Sequence, residues 1–321
     1  MRAALAGRYG PPETIRIAEA PDPVPGAGEA LIRVHATAIT AGDSRIRAGR
    51  FPHGFGTVAR LGIGLRGPRR PVLGVVFSGV IERLGSAREG SAQFAVGDEV
   101  TGMTGARMGA HAELVSVATK RITPKPAGLS HTDAAATLFG GTTALHFLRD
   151  RAALGEGQRV LVNGASGSVG SAAVQLAHSM GAVVTGVCSE ANRALVASLG
   201  AKETIDYAKR PVSILRSNYD LVFDAVGNIS RQRGLELLTP NGGLVLAVAG
   251  LADTVRAGGR VYAGAAPERS SDFATLLAMT QSGTFNPLTR VLGGLGAIQE
   301  AHAIVDSGHK VGNLIVLPQE A

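Results

Sequence analysis

The sequence predicts an α/β fold in which a parallel sheet follows an irregular β-rich unit. The first ~120 residues are rich in glycine and proline and carry short β-branched segments between turn signals, such as "EALIRVHATAI" at 29–39 and "HAELVSV" at 111–117. After residue 130, helical and strand patterns alternate, which indicates parallel strands joined by helices. A chain of 321 residues is long enough for two domains, so we expect the change of pattern to mark a boundary.

The α/β unit is predicted to contain an opening helix and five strands. The segment "HTDAAATLFGGTTALHFLRDRA" (131–152) has helical composition. A second helix is predicted to begin at about Ser168, because apolar residues recur there at helical spacing. These apolar residues are Val169, Ala173, Leu176 and Met180. The predicted strands are the apolar runs at 159–163, 182–187, 203–205, 220–226 and 242–248.

Composition excludes several classes of protein. Hydrophobic residues make up 45% of the chain and charged residues 18%, and no apolar run is long enough to cross a bilayer, so we expect a globular protein without a membrane partner. The N-terminus has no long apolar core, which predicts a cytoplasmic location. The net charge of +7 comes from scattered basic residues without any tryptophan, so nucleic acid is not expected as a partner. Cys188 is the only cysteine, which excludes an intrachain disulfide and a multi-cysteine metal cluster.

A glycine-rich turn is the strongest candidate for a binding site. Gly164, Gly167 and Gly170 form a G-x-x-G-x-x-G run between the strand at 159–163 and the helix that begins at Ser168. Small residues let the backbone approach a pyrophosphate, whose charge is stabilised by amide N–H groups and by the helix dipole. A tight turn without a ligand is the alternative interpretation. The strands that follow favour a dinucleotide site.

The end of the next strand predicts which dinucleotide binds. An NAD site places an acidic residue there to bind the ribose hydroxyls, whereas this chain has Cys188. Ser189 and Arg193 can bind a 2′-phosphate, which predicts NADPH as the cofactor. This interpretation assumes that Glu190 points away from the site. Arg193 could instead be a solvated helix residue.

Eight segments together resemble the medium-chain dehydrogenase/reductase superfamily, and within it the zinc-free quinone oxidoreductase (zeta-crystallin-like) branch. They are "VGDEV" (96–100), "GAHAELVSV" (109–117), "KPAGLSHTDAAAT" (125–137), "GGTTALHFL" (140–148), "GEGQRVLVNGASGSVGSAAVQLAHSMGA" (155–182), "SLGAKETIDY" (198–207), "YDLVFDAVG" (219–227) and "AHAIVDSGHKVGNLIV" (301–316). The resemblance implies a GroES-like β-barrel domain at 1–122 and a Rossmann-fold NADPH-binding domain at 123–262. It also implies a C-terminal segment, 263–321, that returns to the first domain, an active site in the cleft between the domains, and a homodimer.

The same resemblance implies a set of cofactor contacts. The turn and Thr143 would bind the pyrophosphate or the nicotinamide ribose, Ser189, Arg193 and Tyr207 would surround the adenosine phosphate, and the remaining residues would line the cofactor. The full set is Thr143, Gly164, Ser166, Gly167, Ser168, Val169, Ser189, Arg193, Tyr207, Val226, Gly227, Val248, Ala249, Gly250 and Asn313. At Asn313 the branch commonly has a lysine, so a charged contact is not expected there.

The zinc ligands of the related alcohol dehydrogenases are missing. The segment that matches the first ligand reads "ITAGDSRIRAG" without cysteine, and Val75 and Val76 replace the histidine and glutamate of the second. We therefore expect no metal. Without a Lewis acid to stabilise an alkoxide, reduction of an activated acceptor is favoured over alcohol oxidation.

No catalytic side chain is identified by the sequence. Thr40, Asp43 and Arg45 are the candidates for the cleft. Thr40 and Arg45 stand where the branch often has asparagine and tyrosine, whereas Asp43 is retained. The loop at 51–71 is rich in glycine and arginine and could overhang the cleft, although a solvated loop is favoured.

The predicted function is NADPH-dependent, zinc-independent reduction of a quinone or an α,β-unsaturated carbonyl by hydride transfer. The alternative is a non-catalytic NADPH-binding protein, either a sensor or a structural protein of the crystallin kind. A methyltransferase on the same sheet is disfavoured, because its methyl donor would require an acidic residue at the end of the second strand.

Overall fold

Antiparallel strands build the N-terminal part of the protein. The structure is a computed structural model, and it describes residues 1–86, 94–216 and 218–320. The elements are β1 (Arg2–Leu5), β2 (Arg16–Glu19), β3 (Glu29–Ile39), α1 (Ala41–Ala48), α2 (Gly56–Ile63), β4 (Val76–Leu84), β5 (Glu99–Met103), β6 (Leu114–Ala118) and β7 (Ile122–Pro124). The long strand β3 pairs antiparallel with both β4 and β6. The predicted β-rich unit is therefore confirmed.

A parallel sheet follows, with helices between its strands. The elements are α3 (His131–Leu145), continued by a π-helical turn (His146–Arg151), then β8 (Arg159–Asn163), α4 (Ser168–Ser179), β9 (Val183–Cys188), α5 (Arg193–Ser198), β10 (Glu203–Asp206), β11 (Tyr219–Asp224), α6 (Arg231–Glu236), β12 (Leu238–Leu246), α7 (Leu251–Val255) and β13 (Val261–Ala263). The strand order is β10-β9-β8-β11-β12-β13, and every pairing is parallel. The order reverses between β8 and β11, which is where parallel sheets of this kind bind ligands at the carboxyl ends of their strands.

The five predicted strands are present, and the sheet has a sixth, β13. The sequence reading missed β13 because three residues are too few to show a period. The predicted stripe on α4 packs against one face of the sheet, where it joins a core that includes Phe147 and Phe223. A second apolar core covers the opposite face.

The C-terminal part returns to the first sheet. It consists of α8 (Ser270–Gln281), β14 (Thr289–Gly293), α9 (Ile298–Asp306) and β15 (Asn313–Val316). Strand β15 pairs antiparallel with β3, and β14 pairs parallel with β15. The domain limits at 122 and 262 stay predictions. In the part of the chain that the structure describes, no helix combines the length and the apolar character that a membrane span requires.

A buried polar cluster lies where α1 packs against α9. Arg47 is fully buried and donates to Asp306, to Ser44 and to the carbonyl of Gly10. His302 is also fully buried, and neither ring nitrogen has a hydrogen-bond partner within the described residues. Burial, the neighbouring His111 ring and the Arg47 charge lower the pKa of His302 to about 3, although Asp306 opposes the shift. His302 is therefore neutral in the folded protein.

We expect acid to destabilise the protein through His302. The unfolded chain protonates this ring near pH 6.5, whereas the folded protein protonates it only near pH 3, so the unfolded state binds more protons between these values. The free energy of unfolding should fall by roughly 1.4 kcal/mol for each pH unit in that window. Urea unfolding at about pH 7 and about pH 5 should show a smaller midpoint shift in His302→Leu than in the wild type. The exposed His178→Gln is the control, and an unchanged shift in His302→Leu would refute this assignment.

Candidate functional site

The glycine-rich turn connects β8 to the first turn of α4. Gly164 has φ +80, and the Gly167 amide donates to the Gly164 carbonyl over 3.0 Å. A Cβ at position 170 would lie 2.0 Å from the Gly164 oxygen, so this position requires glycine. Gly167 is the N-cap of α4, and no side chain caps the helix there. The first amide groups of α4 are consequently available to an anion.

A cleft of about 830 Å³ lies in front of this turn. Its walls come from the carboxyl ends of the parallel strands, from the start of α1 and from the segment between α9 and β15. The predicted site residues that line it are Thr40, Arg45, Gly164, Ser166, Gly167, Ser168, Val169, Ser189, Tyr207, Val226 and Asn313. The structure thus brings together most of the residues that the sequence selected. Their contacts with a cofactor stay predictions.

Seven predicted residues do not line the cleft: Asp43, Thr143, Arg193, Gly227, Val248, Ala249 and Gly250. The Thr143 hydroxyl donates to the Phe139 carbonyl one helical turn earlier, over 2.8 Å. Gly227 has φ +89, and a Cβ there would meet the Val248 side chain at 2.9 Å. Gly250 lies against the carbonyl of His53 in the loop at 51–71. The segment at 51–71 is not wholly a loop as predicted, since it contains α2. It contacts the parallel-sheet unit where the Leu251 amide donates to the His53 carbonyl, and its residues are absent from the cleft lining.

The end of β9 carries a charged cluster that differs from the sequence interpretation. Glu190 does not point away: its carboxylate accepts from Arg193 Nη1 over 3.1 Å and from Lys209 Nζ over 2.8 Å. The reason is that two cations flank it, one on α5 and one after β10. Arg193 also donates from Nε to Thr204 Oγ1 over 3.0 Å. Cys188 is buried in the cleft wall, and burial raises the pKa of its thiol, which disfavours the nucleophilic thiolate.

Two of the three cleft candidates stabilise the start of α1. The Thr40 amide donates to Asp43 Oδ2 over 2.9 Å, and the Asp43 amide donates back to Thr40 Oγ1 over 3.2 Å, which is a capping box. Thr40 Oγ1 also donates to Asp43 Oδ2 over 2.6 Å. Asp43 Oδ1 also accepts from the Gly74 amide. Arg45 is different: it lines the cleft, burial lowers the pKa of its guanidinium, and it has no ion-pair partner among the described residues. Arg45 is the candidate with free donors.

Three residues of the site were missed by the sequence analysis. Asp224 is fully buried at the end of β11, and its carboxylate accepts from the amides of residues 226, 227 and 229 and from Asn163 Nδ2. Asn163, at the end of β8, also donates to Asn228 Oδ1 over 2.7 Å. A polar residue at the end of an apolar run was the available signal for both. Lys310, which follows α9, also lines the cleft.

No metal centre is formed by the residues that the structure describes. In 1–86, 94–216 and 218–320, no three His, Cys, Asp or Glu side chains are close enough to hold an ion. Val76, at one of the positions where the related zinc enzymes have ligands, is fully buried in β4.

Two family profiles match the chain: an alcohol dehydrogenase GroES-like domain over residues 26–127 and a zinc-binding dehydrogenase over residues 199–316. A quinone oxidoreductase of Pseudomonas aeruginosa is 31% identical over 245 residues, which cover 74% of this chain and 70% of the relative. The mitochondrial NAD(P)H oxidoreductase RTN4IP1 of Danio rerio is 32% identical over 66% of this chain. The match spans 57% of that relative's length.

Solved structures share the whole fold. The quinone oxidoreductase from Coxiella burnetii has a TM-score of 0.88 and 26% identity, with 99% of each chain covered. The Escherichia coli quinone oxidoreductase complexed with NADPH has a TM-score of 0.81 and 22% identity over 99% of this chain and all of the other. The chain thus belongs to the medium-chain dehydrogenase/reductase superfamily, in its quinone oxidoreductase branch.

Proposed function

We propose that this protein is an NADPH-dependent, zinc-independent oxidoreductase that reduces a quinone or an α,β-unsaturated carbonyl compound. The observation that carries the proposal is the uncapped N-terminus of α4, which opens through the glycine turn into a cleft of about 830 Å³. A cytoplasmic location and a homodimeric state belong to the same proposal.

The residues of the cleft fit a nicotinamide dinucleotide. Gly164, Gly167 and Gly170 carry no side chain and so allow a diphosphate to approach the backbone of the turn, and the amides of α4 offer donors to it. When bound, the reduced nicotinamide supplies a hydride to the acceptor. The residues of the turn and of the strand ends would hold the dinucleotide at the carboxyl edge of the sheet and orient it toward the acceptor.

An acceptor with an activated carbonyl suits this cleft. An alcohol would need a group that removes its hydroxyl proton and stabilises the alkoxide, and the described residues form no metal site for that purpose. A quinone or an enone accepts hydride at an electrophilic carbon, and the charge then develops on its oxygen. Arg45 is the donor in the cleft wall that would hold this oxygen, and solvent would supply the proton.

The preference for NADPH depends on the cluster of Glu190, Arg193 and Lys209. Arg193→Ala should weaken the binding of NADPH more than that of NADH by about 1.5 to 3 kcal/mol, because only NADPH offers a 2′-phosphate to the guanidinium.

Glu190→Gln should have the opposite effect and strengthen the binding of NADPH selectively, because it releases both cations from the carboxylate. Fluorescence titration with each cofactor measures both effects. Equal losses for the two cofactors in Arg193→Ala would remove the phosphate assignment.

A non-catalytic NADPH-binding protein is the second candidate. It is favoured by Thr40, whose hydroxyl is used in the capping box, and by Asn313, whose amide is bonded to Ser168 and to the Pro287 carbonyl. Both side chains are thus already engaged in hydrogen bonds within the protein.

A cofactor-saturated screen of quinones and enones separates the two candidates. The first predicts steady NADPH oxidation with at least one acceptor, unaffected by a chelator, and no stoichiometric zinc in the purified protein. Tight NADPH binding without turnover on any acceptor would favour the second candidate. A simple alcohol oxidised only when zinc is present would contradict the proposal.

A further inference from the structure

The segment at 308–313, called here the C-terminal strap, crosses directly in front of the glycine turn. The Gly312 amide donates to the Ser166 carbonyl over 2.9 Å, and Gly167 and Gly312 form a parallel bridge. Ser168 Oγ donates to Asn313 Oδ1 over 2.6 Å. Gly312 has φ +57, and a Cβ there would lie 2.3 Å from the Leu288 carbonyl, so the backbone path of the strap is fixed. The strap and the turn are therefore held together as one wall of the cleft.

Lys310 brings a positive charge into this wall. Its ammonium group donates to the carbonyl of Gly312. The amide of the same Gly312 donates to the turn. Lys310 lines the cleft and is half-buried, and within the described ranges no carboxylate pairs with it. Burial lowers the pKa of Lys310 to about 8. A partly buried cation without a counter-charge is costly, and an anion bound nearby would remove that cost.

No other side chain of the turn or of Asn313 supplies a positive charge for an anion bound there. The turn and the start of α4 offer backbone amides but no charged side chain. The Asn313 side chain is neutral, and its amide group donates to the Pro287 carbonyl. Arg45 lies on α1 and not on the turn or the strap, and Arg193 is absent from the lining.

We propose that Lys310 is the cation that binds the diphosphate of the nicotinamide cofactor at the glycine turn. This inference rests on the function proposed above. Because NADPH and NADH share the diphosphate, Lys310 should contribute equally to both, in contrast to Arg193.

The test compares cofactor binding in Lys310→Met, Lys310→Arg and the wild type. Fluorescence titration should show that Lys310→Met lowers the affinity for NADPH and for NADH by the same factor, roughly tenfold to a hundredfold. Lys310→Arg should retain most of the affinity. The control is Lys120→Met, which removes one exposed lysine on the distant β-rich unit and should change nothing. Thermal unfolding without cofactor checks that each variant is folded.

A pH series provides a readout that a structural role would not affect. Because the bound diphosphate favours protonated Lys310, wild-type affinity should fall roughly tenfold between about pH 7.5 and about pH 9.5. Lys310→Arg should not show this fall, since arginine stays charged throughout. The other titratable groups facing the cleft are Arg45, His309, Cys188 and Tyr207, and Lys310→Met reveals their contribution.

Each outcome decides the proposal. Unchanged affinity in Lys310→Met overturns it, and loss confined to NADPH would move Lys310 to the 2′-phosphate and overturn the diphosphate assignment. The same alkaline loss in Lys310→Arg as in the wild type also contradicts it. If the wild type binds neither cofactor, the proposed function fails first and this inference with it.

Discussion

Gly170→Ala should disrupt the cleft, whereas Gly167→Ala should leave the fold intact. At position 170 the new methyl would meet the Gly164 carbonyl oxygen at 2.0 Å and its carbon at 2.6 Å, and backbone cannot rotate away as a side chain can. At position 167 the nearest atom to a Cβ is the same oxygen at 3.5 Å, and φ is −78, which any residue adopts. The two variants add the same methyl group to the same turn.

The expected difference between these variants is large. Gly170→Ala should lower the free energy of unfolding by about 3 kcal/mol or more, because β8 and α4 must separate. Gly167→Ala should change it by less than about 1 kcal/mol. Urea unfolding of the cofactor-free proteins measures both. Equal stability of the two variants would show that α4 does not pack on the turn as described.

Asp224→Ala should be the second strongly destabilising change. The carboxylate is fully buried, and it accepts three backbone amides over 3.0 Å each and Asn163 Nδ2 over 2.9 Å. Alanine would leave the buried Ile229 amide without this partner and would remove three further hydrogen bonds to a charged group, which should cost about 3–5 kcal/mol. The loop at 225–229 would lose the hydrogen bonds that hold it. Val226 and Asn228, which line the cleft, should then shift and change its shape.

A matched control lies on the same strand. Asp220, at the opposite end of β11, is half-buried and accepts from the Arg159 amide and from Thr239 Oγ1. Asp220→Ala should cost only about 1–2 kcal/mol and should leave NADPH affinity unchanged. Asp224→Ala should reduce both stability and affinity. Similar losses in the two variants would argue that Asp224 has no special role at the cleft.

The parts of the fold that are set by local sequence patterns could be predicted. The strand and helix periods predicted the parallel sheet, and a glycine run between a strand and a helix predicted the turn, because these features depend on neighbours in the chain. The sequence T-x-x-D at 40–43 is the signature of a capping box, so the structural role of Asp43 was visible there too. The spacing of Glu190 and Arg193 likewise allows an ion pair on one turn.

Features that depend on distant segments could not be predicted. The strap that carries Lys310 contacts the turn only because β15 pairs with β3 and brings the strap back to the parallel-sheet unit. The four donors of Asp224 come from its own loop and from β8, and their convergence requires the parallel register of β8 and β11. The Arg47 charge lies near His302 because α1 packs on α9. Each of these contacts is set by the tertiary structure.

The most direct test of the central claim is hydride transfer from NADPH deuterated at the transferred position of the nicotinamide. With an enone that the wild type reduces, mass spectrometry of the product should find one deuterium bound at the former electrophilic carbon, and unlabelled NADPH should give none. The claim would be contradicted if NADPH bound but no acceptor in the panel gained deuterium, or if the label appeared only in solvent.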